Sequence, residues 1–309
     1  MEGVKKTDIG FAPSKILNWK ENIVVLGVDG EIAILDPTLD HIQPNVTPFP
    51  CKITHACIVE DQLIATWLDY DILIGRMASL PLNQPLNNGP LKSEVRKSTT
   101  FTATDLHPQG NSWSHPLNAD VLGMVRIDDS IVFALWKRGL YRLNADAVEE
   151  WRAPLPTWPS LEKIPQGNQL ISMHETPHAI LVVSKGGGFA ELSKTDGAII
   201  SFDTLVENVS ISQHYYHQGH HLSITSNNEA IWIGDEGNLI KSHRLSGPVQ
   251  SAMWNNENNG WDIAGWREVL EMSSNQVSSH RLQDICTFVW RNEIQDYLIM
   301  NDGSISVIE

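Results

Sequence analysis

NIVVLGVDGEIAILDP, residues 22–37, is two short apolar runs joined at Val28-Asp29-Gly30. An Asp-Gly pair between apolar runs codes for a tight β-hairpin, because glycine reaches the positive φ such turns require. The same shape closes the sequence in YLIMNDGSISVIE (297–309), around Asn301-Asp302-Gly303. Between the two lie SIVFALWKRGLYRLN (130–144) and AILVVSKGGGFAELS (179–193), with looser copies at 62–76, 221–235 and 260–274. Helical periodicity is sustained nowhere, so the sequence predicts an all-β protein.

A further strand-like run precedes each hairpin, and these runs start near residues 14, 52, 120, 170, 209, 249 and 284. A fourth run usually follows, as in AIISFDTL (198–205), NLIKSHRL (238–245) and QVSSHRLQ (276–283). Most of the spacings approach the ~40–45 residues of a propeller blade. The expected fold is therefore a seven-bladed β-propeller of four-stranded antiparallel blades, residues 1–309 forming one domain. The last repeat ends after its third strand. Residues 1–11 contain a spare strand (4–11) that would complete the last blade and leave no open edge. Trp19, Trp254 and Trp290 end three of the first strands, where a bulky aromatic serves packing between neighbouring units. His243 and His280 fall at matched outer-strand positions and read as scaffold. One interval is long, and the excess maps to 81–118, rich in Pro, Asn, Gly and Ser and expected to be an extended surface loop.

The stretch Asp29-Gly-Glu-Ile-Ala-Ile-Leu-Asp36 resembles the third strand of the WD40-type propellers, Asp-Gly-x-Ile-x-Ile/Val-Trp-Asp, with Leu35 for the Trp. Asp302-Gly-Ser-Ile-Ser-Val-Ile-Glu309 matches with Ile308 and Glu309 at the last two places, and Gly139–Asn144 keeps part of the pattern. The Gly-His pair expected before each first strand is missing throughout. What the resemblance implies is a rigid scaffold for protein–protein contact, usually without catalysis.

Charge narrows the partners. With 22 Lys+Arg against 37 Asp+Glu the formal net charge is −15. Nucleic acids and anionic membrane surfaces both select for positive charge, so neither is an expected partner. No apolar run approaches the ~20 residues of a membrane span. The start lacks the apolar stretch of a signal peptide, and the expected location is the cytoplasm. Cys51, Cys57 and Cys286 are too few and too scattered for a disulfide framework or a paired-cysteine metal site.

For chemistry, the strongest candidate is His214-Tyr-Tyr-His217-Gln-Gly-His220-His221. A turn at Gln218-Gly219 would place His217 and His220 across a strand pair, ~5 Å apart at Cβ, while His214 points to the other face. A third metal ligand would have to come from elsewhere. His174 and His178 flank another inner turn, and His55 sits in a first strand near the channel. On these residues the alternative function is a metal-dependent hydrolase or lyase at the channel mouth. No nucleophile elbow or phosphate-binding loop is present, and Lys185-Gly-Gly-Gly188 reads as a turn between strands. The primary expectation is a non-enzymatic scaffold without a cofactor, monomeric or part of a complex, that holds a protein partner by a propeller face and the 81–118 segment. Lys92, Arg96, Phe101, His107, Trp113 and His115 supply the basic and aromatic side chains typical of interfaces, with Trp113 at the centre.

Overall fold

Both Asp-Gly hairpins form, and the computed structural model, which describes residues 8–97, 106–206, 209–291 and 295–307, shows what fixes their glycines. Gly30 has φ +95°, and a Cβ there would stand 2.3 Å from Phe49 O. Gly303 has φ +89°, and a Cβ would meet Phe11 O at 2.6 Å. Each turn presses on the stretch leading into another first strand, so only glycine fits.

Seven antiparallel sheets follow one another along the chain. Blade 1 holds β1 (Pro13–Trp19), β2 (Asn22–Gly27) and β3 (Ile32–Leu35). Blade 2 holds β4 (Lys52–Val59), β5 (Gln62–Asp69), β6 (Ile74–Pro81) and β7 (Trp113–Pro116), with a short helix α1 (Lys92–Lys97) between the last two. Blade 3 is β8 (Val121–Ile127), β9 (Ser130–Leu135), β10 (Gly139–Asn144) and β11 (Glu149–Ala153). Blade 4 is β12 (Leu170–Glu175), β13 (Ile180–Ser184), β14 (Gly188–Leu192) and β15 (Ile199–Thr204). Blade 5 is β16 (Ile211–His217), β17 (His220–Thr225), β18 (Glu229–Ile233) and β19 (Leu239–Arg244). Blade 6 is β20 (Ser251–Asn255), β21 (Gly260–Gly265), β22 (Glu268–Ser273) and β23 (Val277–Arg281). Blade 7 is β24 (Cys286–Arg291), β25 (Asp296–Met300) and β26 (Ile305–Val307). Every first strand begins within two residues of the start expected from the repeats.

These blades fall into two compact units, residues 13–155 with 193–198, and residues 1–12, 156–192 and 199–309. In the first unit β1 lies beside β4 and β4 beside β8; in the second, β12, β16, β20 and β24 neighbour one another in that order. The core lies between the blade faces. Leu26, Ile32, Phe49 and Trp67 meet between blades 1 and 2. Leu222, Trp232, Trp261 and Ile263 meet between blades 5 and 6. Burial of such side chains contributes roughly 1.5–3 kcal/mol each, which is why each blade face needs a neighbour.

Two expectations are corrected. Blade 1 has three strands, not four. Its outer position is occupied by residues that pair with β3 through isolated bridges, Leu35 with His41 and Ile32 with Val46, without a continuous ladder. Pro37, Pro44, Pro48 and Pro50 explain this, because proline donates no ladder hydrogen bond. Second, residues 81–118 are not one extended loop: they contain α1 and β7, the outer strand of blade 2. The described residues between β6 and β7 are stitched to the tail of blade 1 on both sides of α1. Leu86 N donates to Gln43 Oε1 (3.1 Å), Gly89 N to Thr47 O (2.9 Å) and Gln109 N to Pro48 O (2.9 Å).

Among the described residues blade 7 also has three strands. Asp8 forms an antiparallel bridge with Ser304, and Ile9 N donates to Gly303 O at 2.9 Å. Ile9 is fully buried. The N-terminal segment thus joins the last hairpin where a closing strand would enter, while residues 4–7 lie outside the described residues.

Candidate functional site

The histidines of the 214–221 stretch separate into two groups on opposite faces of one hairpin. His217 and His220 face each other across β16 and β17, as the turn chemistry predicts. Gln218 and Gly219 both take positive φ, 43° and 88°. Both imidazoles stack on the Trp254 indole of blade 6, at centroid distances of 5.0 and 4.6 Å and interplanar angles of 10° and 15°. Trp232 Nε1 donates to His220 Nδ1 at 3.2 Å. The pair is an aromatic clamp between blades 5 and 6.

On the other face His214 joins two partners that spacing along the chain does not bring together. His214 Nδ1 lies 3.1 Å from Nε2 of His174 on β12, and His214 Nε2 lies 3.2 Å from His221 Nδ1. Ser172 Oγ approaches the same Nδ1 at 3.1 Å. Burial, then the His174 and His221 charges, holds His214 well below its ordinary pKa. Burial, followed by His221, holds His174 at about 4. Burial, followed by His220, holds His221 at about 4. All three are neutral near pH 7. A neutral imidazole offers one donor and one acceptor, so the row forms a directional hydrogen-bond chain. Its nitrogens face one another in pairs and do not converge on a point. Among the described residues no group of three His, Cys, Asp or Glu is placed to hold a metal ion.

His221 ends this chain at the wall of a cleft of about 450 Å³ between blades 4 and 5. Phe189, Tyr216 and His221 form aromatic walls, and the carboxylates of Glu191, Asp203, Asp235 and Glu236 line it without any Lys or Arg. An apolar continuation of about 330 Å³ runs past Leu205, Val206, Ile231 and Leu239. Sequence reading missed this cleft because its walls join β14 and β15 of blade 4 to β16, β17 and the turn after β18 of blade 5, which only the packing of two blades brings together.

The expected interface residues are dispersed. Lys92 lies on α1 within 3.5 Å of Asp29 Oδ1, and Arg96 is exposed on the same helix. Val95 between them anchors α1 in the core of blades 1 and 2. His107 borders an open hollow with Pro90 and Leu106, its Nδ1 buried and unpaired. Trp113 does not stand at the centre of a free patch: it lies in β7, its Nε1 donates to Ala145 O at 2.7 Å, and its ring packs on blade 3. His115 is exposed beside it, ring centroids 5.5 Å apart. Phe101 lies outside the described residues.

Other buried polar groups serve the scaffold. Asp262, 1 % exposed, receives Arg291 Nη2 at 2.6 Å. Burial raises the Asp262 pKa, and Arg291 opposes that rise. The Lys15 ammonium donates to Ala56 O at 2.8 Å, its pKa lowered by burial. Burial, then Lys15, holds His55 at about 4. Burial pushes the thiols of Cys51, Cys57 and Cys286 up to about 12, so all three are inert core groups.

No protein-family model matches the sequence, and no curated protein matches it. Solved structures do. The β-propeller domain of Cps50 (Swd1) from Myceliophteria thermophila superposes with a TM-score of 0.66 at 11 % identity, over 97 % of this chain and 98 % of that one. BBS1N, solved in complex with ARL6DN, gives 0.63 at 11 % identity, over 97 % and 95 %. BamB from Moraxella catarrhalis gives 0.58 at 11 % identity, over 94 % and 80 %. Identities this low speak for architecture alone. In fold, the chain is a WD40-like seven-bladed β-propeller.

Proposed function

We propose that this protein is a non-enzymatic scaffold that binds a protein partner, and that the outer edge of blade 4 is its main contact surface. The observation that carries this reading is the composition of β15. Outer strands present unpaired backbone groups, and natural proteins guard them with charge or proline. The other outer strands follow that rule: Glu149, Glu150 and Arg152 on β11, Lys241, His243 and Arg244 on β19, His280 and Arg281 on β23, Pro116 on β7. β15 reads IISFDT, with Asp203 its single charge and no proline, and exposes Ile199, Ile200 and Phe202 at 51 %, 59 % and 60 %. Exposed apolar side chains grouped on one edge mark an interaction site.

The fold supports the same reading. Scaffolding is a common use of propellers, and the BBS1 propeller was solved bound to another protein. No helix among the described residues is long and apolar enough to cross a membrane. Three free cysteines, all buried, fit a reducing compartment such as the cytoplasm. A second, smaller surface is the open hollow lined by Pro90, Leu106 and His107, bordered by the unpaired His107 Nδ1.

The test is purification of the protein from its native source, in parallel with an Ile200→Lys/Phe202→Lys variant. The expected result is a stoichiometric companion polypeptide that the wild type retains and the variant loses. Recovery of the protein alone, at native expression and moderate salt, would count against a scaffold.

A further inference from the structure

The scaffold reading leaves the partner's chemistry open, and the following rests on that reading. We propose that β15 is completed by an extended, basic segment of a partner protein, which adds as a fifth strand with alternating apolar and cationic side chains.

Register defines the two faces such a segment would meet. In β14 and β15, Phe189 pairs with Asp203 and Glu191 with Ser201. Side chains alternate along a strand, so Phe189, Glu191, Ser201 and Asp203 share the face toward the cleft. Phe202 pairs with Ala190, and Ile199 with Leu192 beyond a bulge at Ile200, so both belong to the opposite face. One side of the free edge is thus acidic and the other apolar. A docked strand places every second side chain on each side, and pairing by main-chain hydrogen bonds brings alternate residues into separate pockets.

Charge selects the occupant. Glu191 accepts from Ser201 Oγ at 3.0 Å, and Asp203 accepts from the Thr204 N–H at 2.7 Å. These bonds hold the carboxylates but leave them uncompensated by any Lys or Arg among the described lining residues. Asp235 and Glu236 add two carboxylates from the turn after β18. Aromatic walls formed by Phe189 and Tyr216 suit the flat face of a guanidinium as well as its charge. A cationic side chain entering from β15 therefore meets carboxylates and ring faces together. A second copy of this chain is the poorer fit, because net charge −15 opposes pairing of like surfaces.

Fluorescence polarisation with three labelled nine-residue peptides tests the idea: one alternating Val and Arg, one alternating Val and Glu, and one with the Val and Arg residues in two blocks. The alternating Val/Arg peptide is expected to bind with a micromolar Kd, and the other two at least tenfold more weakly. Both Ile200→Lys/Phe202→Lys and Asp203→Lys should weaken it at least tenfold, with melting temperatures within a few degrees of wild type because these side chains are exposed. Equal binding of the block peptide would reduce the effect to bulk charge and overturn the proposal, as would full binding by the variants. A wild-type dimer seen by light scattering and abolished by Ile200→Lys/Phe202→Lys would assign the edge to a second copy and overturn it too. If the peptides fail but a stoichiometric partner still co-purifies with both proteins, the edge proposal falls and the scaffold reading survives.

Discussion

At the scale of single residues, the least ordinary feature is the row His174, His214 and His221. Unfolded, all three titrate near pH 6.5. Folded, His174 and His221 are held at about 4, and His214 well below its ordinary value. The unfolded state therefore binds more protons between those limits, and stability falls as pH drops from about 6.5 toward 4. Each histidine held at about 4, His55 included, contributes about 2 kcal/mol between pH 7 and pH 5. Urea denaturation at the two pH values should therefore differ by several kcal/mol, and His174→Gln/His221→Gln should remove about half of that slope; a flat wild-type profile would contradict the buried, neutral row. Trp254 offers a second check. It is the plate on which His217 and His220 stack, so Trp254→Ala should cost about 3 kcal/mol in denaturation experiments, whereas loss of a solvent-facing side chain would cost almost nothing. The sequence made the His217–His220 pairing legible, because a two-residue turn dictates which residues face each other. It could not show the row through His214, since His174 arrives from another blade and only packing brings it within 3.1 Å.

At the scale of elements, hairpins were legible and outer strands less so. An Asp-Gly turn between apolar runs is a local signal, and Gly30 and Gly303 show its physical basis in positive φ and close backbone approach. Gly303→Ala should cost about 2 kcal/mol or more, from the φ penalty and the clash with Phe11 O together; a melting temperature equal to wild type would show that the turn is free to relax. Outer strands lack such a signal because one side faces water and their apolar period is weak. β7 is hidden for that reason in a Pro- and Asn-rich stretch, where Trp113-Ser-His-Pro116 forms a strand. Trp113→Ala should destabilise blade 2 by about 2–3 kcal/mol, while His115→Ala leaves stability unchanged within ~0.5 kcal/mol. The reverse order would restore Trp113 to a free surface. The repeat spacing also concealed the prolines of blade 1, which leave its outer position without a continuous ladder.

At the scale of the whole molecule, the seven-fold repeat was readable because each blade must bury its faces on a neighbour, and that need recurs in every unit. Closure by residues 4–11 is an expectation from the repeat pattern, and among the described residues the bridge from Asp8 to Ser304 is consistent with it. Removing residues 1–11 should expose the edge of blade 7 and the socket of Ile9, lowering the melting temperature by several degrees or causing aggregation; unchanged melting would contradict closure by this segment. The proposed partner edge was not legible in the sequence, because β15 stands out only once the other outer strands are recognised as its equivalents. Hydrogen exchange of the protein with and without the alternating Val/Arg peptide tests that claim most directly. The account predicts slowed exchange across Ile199–Thr204 on binding, with β11, β19 and β23 unchanged. Protection at α1 and the neighbouring 82–112 connection instead, with Ile199–Thr204 exchanging as freely as before, would contradict it.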